Sequence, residues 1–83
     1  MHTKDLISSI AGGYGWATAD YVADQTDDTP DQMMQALRDL EEEKLVDYLT
    51  IKEVHAFGME EELQDFEELT EGMHPLEYVI ICK

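Results

Sequence analysis

The stretch Thr29 to Val46, TPDQMMQALRDLEEEKLV, constrains the fold more than any other part of the chain. Thr29 stands where a helix N-cap belongs, Pro30 at the first helical position and Gln32 three residues after the threonine, which together make a capping box. Met33, Leu37 and Leu40 then recur at i, i+4 and i+7 and, with Met34, form an inward stripe. These signals predict a helix over 30–44. A helix of this kind stands alone only marginally in water and needs partners for its apolar face. The residues before and after it have to supply them.

Upstream, Leu6, Ile7, Ile10 and Ala11 keep helical spacing and are followed by Gly12 and Gly13, so a first helix is expected over 4–11. GGYGW is a turn in which Gly15 can take a positive φ; it lacks the Lys and Ser/Thr of a phosphate-binding loop. Trp16, the only tryptophan, is a core candidate. Thr18 is placed to cap a short second helix over 18–25, with Ala19, Val22 and Ala23 inward. Downstream, LVDYLTIKEV alternates and is rich in β-branched and aromatic residues, which predicts a strand over 45–54. Leu76 to Cys82 is almost wholly apolar and predicts another, with Pro75 at its start. Between the strands, Met59, Leu63, Phe66 and Leu69 or Thr70 recur at helical spacing before Gly72. They predict an acidic amphipathic helix over 59–71, or alternatively a long hairpin wing with a disordered acidic tip.

The order helix, helix, turn, helix, strand, strand, and the run WATADYVADQTDDTPDQMMQALRDLEEEKLVDY, resemble the core of winged helix-turn-helix domains. Thr18, Val22 and Ala23 match the T-x-x-x-[IV]-A pattern of the family's second helix, and Leu40, Leu45 and Val46 match the L-x-x-x-x-L-V that ends its third. The resemblance implies a single α+β domain over 1–83. It would be a small winged helix-turn-helix with a three-helix core, a two-stranded wing and an acidic helix or loop between the strands. It also implies DNA binding through the third helix and the wing, as in a transcriptional regulator, and homodimers are common in the family. Such folds host many functions, so the function has to come from the side chains.

Those side chains depart from the family's usual chemistry. The chain has 20 acidic residues against five Lys and Arg, a net charge of −15. The excess is concentrated in three stretches. Asp20, Asp24, Asp27, Asp28 and Asp31 carry −5. Asp39, Glu41, Glu42, Glu43 and Lys44 carry −3. Glu60, Glu61, Glu62, Asp65, Glu67, Glu68 and Glu71 carry −7. Phosphate contacts need cations, and the outward positions of the third helix are Asp31, Gln32, Gln35, Arg38, Asp39, Glu42 and Glu43. Direct DNA binding is therefore not expected. The alternative is a surface that meets a basic or nucleic-acid-binding protein. This is how small acidic proteins, many from phages, act as DNA mimics and inhibitors. Carboxylates at i and i+4 on a helix stand roughly 6 Å apart at their base, near the spacing of successive phosphates. Asp20/Asp24, Asp27/Asp31, Asp39/Glu43, Glu61/Asp65 and Glu67/Glu71 have that relation in sequence. The partner-binding candidates are Asp20, Asp24, Asp27, Asp28, Asp31, Asp39, Glu42, Glu43, Glu60, Glu61, Asp65, Glu67 and Glu68. A second route to a protein partner is an apolar patch between the second helix and the acidic segment, with methionines lending adaptability. Adaptation to high salt would explain the charge without any partner; four Lys against one Arg weighs against it.

No catalytic centre is expected. His2, His55 and His74 lack H-x-x-x-H spacing, although His55 and His74 flank the acidic segment and could approach each other with Cys82 or a Glu. The one cysteine excludes an intrachain disulfide and four-Cys zinc patterns, and no cofactor motif is present. The longest apolar run, Tyr78 to Cys82, is far below the ~20 residues of a membrane span. No basic run followed by an apolar stretch opens the chain, so no secretory leader and a reducing, cytoplasmic setting are expected.

Overall fold

A computed structural model describes all 83 residues. In chain order the elements are α1 (Thr3–Ala11), β1 (Trp16–Thr18), α2 (Ala19–Gln25), α3 (Pro30–Glu42), β2 (Val46–Thr50), α4 (Ile51–Ala56), α5 (Phe66–Leu69) and β3 (Tyr78–Cys82). The fold is a mixed α+β domain of five helices and one three-stranded antiparallel sheet in the order β1-β3-β2. No helix is long and apolar enough to cross a membrane.

The caps of α2 and α3 form as expected, but the inward face of α2 is narrower than expected: Val22 is buried, Ala19 half-buried and Ala23 exposed. Thr18 Oγ1 accepts the amide of Tyr21 at 3.2 Å. Thr29 Oγ1 accepts the amide of Gln32 at 3.2 Å while the Gln32 side chain accepts the amide of Thr29 at 2.9 Å, closing the capping box. α3 stops at Glu42, two residues short of the predicted end, because Lys44 turns into the left-handed region at φ 60°. The amides of Lys44 and Leu45 then reach back to the carbonyls of Glu41 and Leu40, at 3.0 and 2.9 Å. This is a Schellman stop with lysine at the position glycine favours.

β3 lies in the centre of the sheet. Trp16 pairs with Ile81, Thr18 with Val79, Val46 with Cys82 and Thr50 with Tyr78. Its residues alternate between two cores. Ile80 packs with Leu6, Ile7, Ala17, Val22, Met33, Leu37, Leu40 and Val46 under α1, α2 and α3. Val79 and Ile81 pack on the opposite face with Trp16, Ile51, Val54, Leu63 and Phe66. Burial on both faces explains why Val79 to Cys82 shows no polar alternation; Leu76 and Tyr78, at the start of the apolar run, are exposed.

The second core corrects three expectations. The sheet has three strands, because β1 adds to β3. The strand predicted over 45–54 ends at Thr50, where a new helix begins: the Thr50 hydroxyl accepts the amide of Glu53 and the Glu53 carboxylate accepts the amide of Thr50, both at 3.1 Å. Ile51 and Val54 are then a helical pair facing the core. The acidic helix predicted over 59–71 is a chain of turns with only one helical turn, Phe66–Leu69. Its stripe does point inward, for Leu63, Phe66 and Thr70 are buried. The backbone breaks because Asp65 adopts φ 56° and because the Trp16 indole donates to the Gln64 carbonyl at 2.8 Å. A continuous helix would use that acceptor for the amide of Glu68. The inter-strand segment is thus a cover over the outer face of the sheet, fastened by Phe66 edge-on to Trp16 at 5.0 Å.

Two substitutions test this architecture. Lys44→Gly should raise stability by about 0.5–1 kcal/mol in urea titration, since glycine takes positive φ without the Cβ clash. Phe66→Ala should lower it by about 3–5 kcal/mol, with loss of the near-ultraviolet signal of Trp16.

Candidate functional site

Fifteen of the twenty carboxylates are exposed; Asp28, Asp39, Asp47, Glu60 and Glu77 are partly covered. The candidate residues divide by what their carboxylates touch. Asp20 and Asp24 stand free on α2, Asp31 on the first turn of α3, and Glu42 and Glu43 at its end. Glu61, Asp65, Glu67 and Glu68 point to solvent from the cover segment. Asp39 is half-buried, accepts the Gln35 amide group at 3.0 Å and lies 3.8 Å from Lys4 Nζ. Glu60 lies 3.9 Å from His55 Nδ1, and one of its oxygens is buried without a hydrogen bond.

Asp27 and Asp28 bond to the start of the chain and of α1. Asp27 binds the amino group of Met1 at 2.6 Å, which holds its carboxyl below the ordinary aspartate range. Asp28 caps α1 from outside that helix: it accepts the amide of Thr3 at 2.9 Å and the buried Thr3 hydroxyl at 2.7 Å, both on one oxygen, while His2 Nδ1 donates to the other at 3.0 Å. The His2 side chain makes no cap of its own. A carboxylate at a helix N-terminus satisfies free amides and complements the dipole. These bonds, the Thr3 amide first, pull the Asp28 carboxyl down to about 2. The Asp28 hydrogen bond in turn raises His2.

The i, i+4 pairs are also sorted. Asp20/Asp24 lies within one helix, and Asp39/Glu43 ends on the residue that caps α3. Asp27/Asp31 spans a turn, while Glu61/Asp65 and Glu67/Glu71 lie in a segment whose only helix is Phe66–Leu69. A helical phosphate-like spacing therefore holds for the first two pairs and not for the other three.

The three histidines have separate partners, His2 bonding Asp28. His55 sits edge-on to Phe66 at 5.6 Å, and His74 Nδ1 accepts the amide of Leu76 at 3.1 Å. Cys82 lies on the other side of the sheet, its thiol donating to the Ile7 carbonyl at 3.7 Å and raised by burial. No group of three His, Cys, Asp or Glu side chains is arranged to hold a metal ion.

What the sequence reading placed only loosely is an apolar groove of about 460 Å³ along the β1 edge, where the two layers on the sheet part. α1 contributes Leu6, Ser9 and Ile10, the following turn Gly13 and Tyr14, β1 all three of its residues, α2 Tyr21, and the cover segment Leu69 and Met73. Tyr14, Tyr21 and Leu69 line it while remaining 53, 49 and 54% exposed. The sequence signal was two tyrosines seven residues apart around the only tryptophan; their shared edge needs the β1–β3 pairing, which spans about sixty residues of chain.

Comparison of the chain with known families, curated proteins and solved structures gives no match.

Asp28 gives the fold a pH signature. Its carboxyl lies below the ordinary 3.8, so its stabilisation is full above that value and lost as pH falls through about 2. His2 is raised above 6.5, so its share is full below 6.5 and lost as pH rises through the raised value. Both operate between these limits. Asp28→Asn should melt lower than the parent near pH 5, and the two melting curves, followed by circular dichroism, should converge as pH approaches 2.

Proposed function

We propose that this chain is a winged-helix variant acting as a non-catalytic acidic protein-binding module. It docks on a basic, nucleic-acid-binding protein and occludes it as a DNA mimic. The observation that carries this reading is the fate of the charge. The free carboxylates of α2, of the exposed row of α3 and of the cover segment have almost no internal counterions, since of the five Lys and Arg only Lys4 and Lys83 form ion pairs. Crowding like charges on a domain of this size costs stability, and a cationic partner would turn that cost into attraction and fast association.

The winged-helix part of the proposal rests on order. β1 falls between α1 and α2, α3 leads into β2, and β3 returns between them in the sheet. In that scheme α3 would be the reading helix. Its exposed row is Asp31, Gln35, Arg38 and Glu42, with a single cation for phosphate or base. The place of the wing is taken by the cover segment, which lies on the sheet and presents acids. The same order also favours the family's usual role, a DNA-binding transcriptional regulator, and the test separates the two.

Binding to random duplex DNA at low salt should be absent. Purified basic nucleic-acid-binding proteins should be captured, with affinity falling as salt rises and with duplex DNA competing. Glu61→Gln, Asp65→Asn, Glu67→Gln and Glu68→Gln combined should weaken capture roughly tenfold or more, at about 0.3–1 kcal/mol per charge, with the fold unchanged by circular dichroism. Clear DNA binding, or capture indifferent to those four changes, would overturn the reading. Melting on dilution into low salt would point to salt adaptation instead.

A further inference from the structure

We infer that the groove along β1 is the docking site for a basic amphipathic helix of the partner. The inference rests on the protein-binding reading above and adds to it a place and a chemistry. The groove floor is apolar and includes the buried face of Trp16, and no Lys or Arg lines it. Its walls are half-exposed, so it is an open channel; a site for a small molecule would enclose most of its ligand.

The occupant's chemistry follows from what stands beside the walls. Asp20 and Asp24 flank Tyr21 on α2, Glu68 precedes Leu69, and Asp5 lies one turn before Ser9 on α1, all exposed. The one base of α1, Lys4, turns away to Asp39 on α3. An apolar floor between acidic flanks is complementary to an apolar ridge between cationic flanks. A helix presents such a ridge, because its polar positions run along both sides of the apolar stripe. A strand sends its alternate residues to the opposite face, so its cations would point away from the carboxylates. A second copy of this chain would set Asp against Asp and Glu against Glu, each copy bringing a charge of −15.

The test uses two 18-residue peptides of leucine and lysine. One has its leucines at i, i+3, i+4 and i+7 spacing; the other has the same composition scrambled. Affinity is read from the emission of Trp16, the only tryptophan, and from amide chemical shifts. The patterned peptide should bind roughly tenfold or more tightly than the scrambled one, as burial of leucine side chains in the groove requires. It should shift the amides of Ser9, Gly13 and Thr18. Tyr14→Ala with Leu69→Ala removes exposed apolar groups and no charge, and should bring the patterned peptide to the scrambled level.

If both peptides bind equally, or the variant binds the patterned peptide unchanged, the groove is not the site while the acidic-surface reading stands. If neither binds at low salt, that reading falls and takes the groove with it. Should the variant unfold, the shift map of the parent decides: shifts confined to other faces overturn the inference. A dimer in sedimentation that dissociates on the same two substitutions would show the groove covered by a second copy, and would also overturn it.

Discussion

The packing of β3 on both faces is the constraint on which the rest of the molecule depends. An 83-residue chain has little apolar surface to spend on one core, and this one divides it. Val79 and Ile80, adjacent in sequence and wholly buried, belong to different cores on opposite sides of the sheet. Neither layer can then be regarded as an appendage. If the cover segment were removed, Val79, Ile81 and Trp16 would face water, and each buried side chain of that size is worth about 1.5–3 kcal/mol. The segment between β2 and β3 therefore has a structural duty that a projecting wing does not have, and its backbone breaks where that duty demands it, at Asp65 and at the Trp16–Gln64 bond.

The acidic residues are not equivalent within this frame. Asp28 is nearly covered, with 13% of its side chain exposed, and satisfies the start of α1 from across the chain. Asp39 and Asp47 engage Lys4 and Lys83. Asp27 binds the Met1 amino group and Glu53 closes the capping box of α4. Most of the rest lie outward on α2, α3 and the cover segment. The five Lys and Arg are too few to neutralise them, so the repulsion is left to solvent, salt or a partner. Fixing the carboxylates on a folded surface, instead of in a flexible acidic tail, makes their relative positions part of any recognition.

Legibility in the sequence followed the range of the interactions. The α3 capping box, the Thr18 cap and the positive φ of Gly15 were readable because each is decided within a few residues. The inward stripe Leu63, Phe66, Thr70 was readable as burial but not as backbone, since the period of the side chains does not report which carbonyl an indole will take. α4 was missed although its signal was present: Thr50-Ile-Lys-Glu53 is a capping box, hidden because Thr50, Ile51 and Val54 are β-branched and continue the pattern of β2. β1 was missed because three residues carry no periodicity, and it exists only through its pairing with β3. At the site, the exposure of most candidate carboxylates followed from charge alone. The diversion of Asp27 and Asp28 to the start of α1 depends on contacts about 26 residues apart, which spacing cannot reveal.

The same division into two layers explains why an apolar channel persists on so acidic a surface. α1 and α2 lie on one face of the sheet and the cover segment on the other, and β1, three residues long, is too short an edge for the layers to meet across it. Tyr14 and Tyr21 stand on one side of that opening and Leu69 on the other. In the function proposed above, charge and groove would act at different ranges. The carboxylates would attract a cationic surface over a Debye length of roughly 8–10 Å but specify little about its shape. The groove would act only at contact, where apolar complementarity would select among the basic surfaces that charge had gathered.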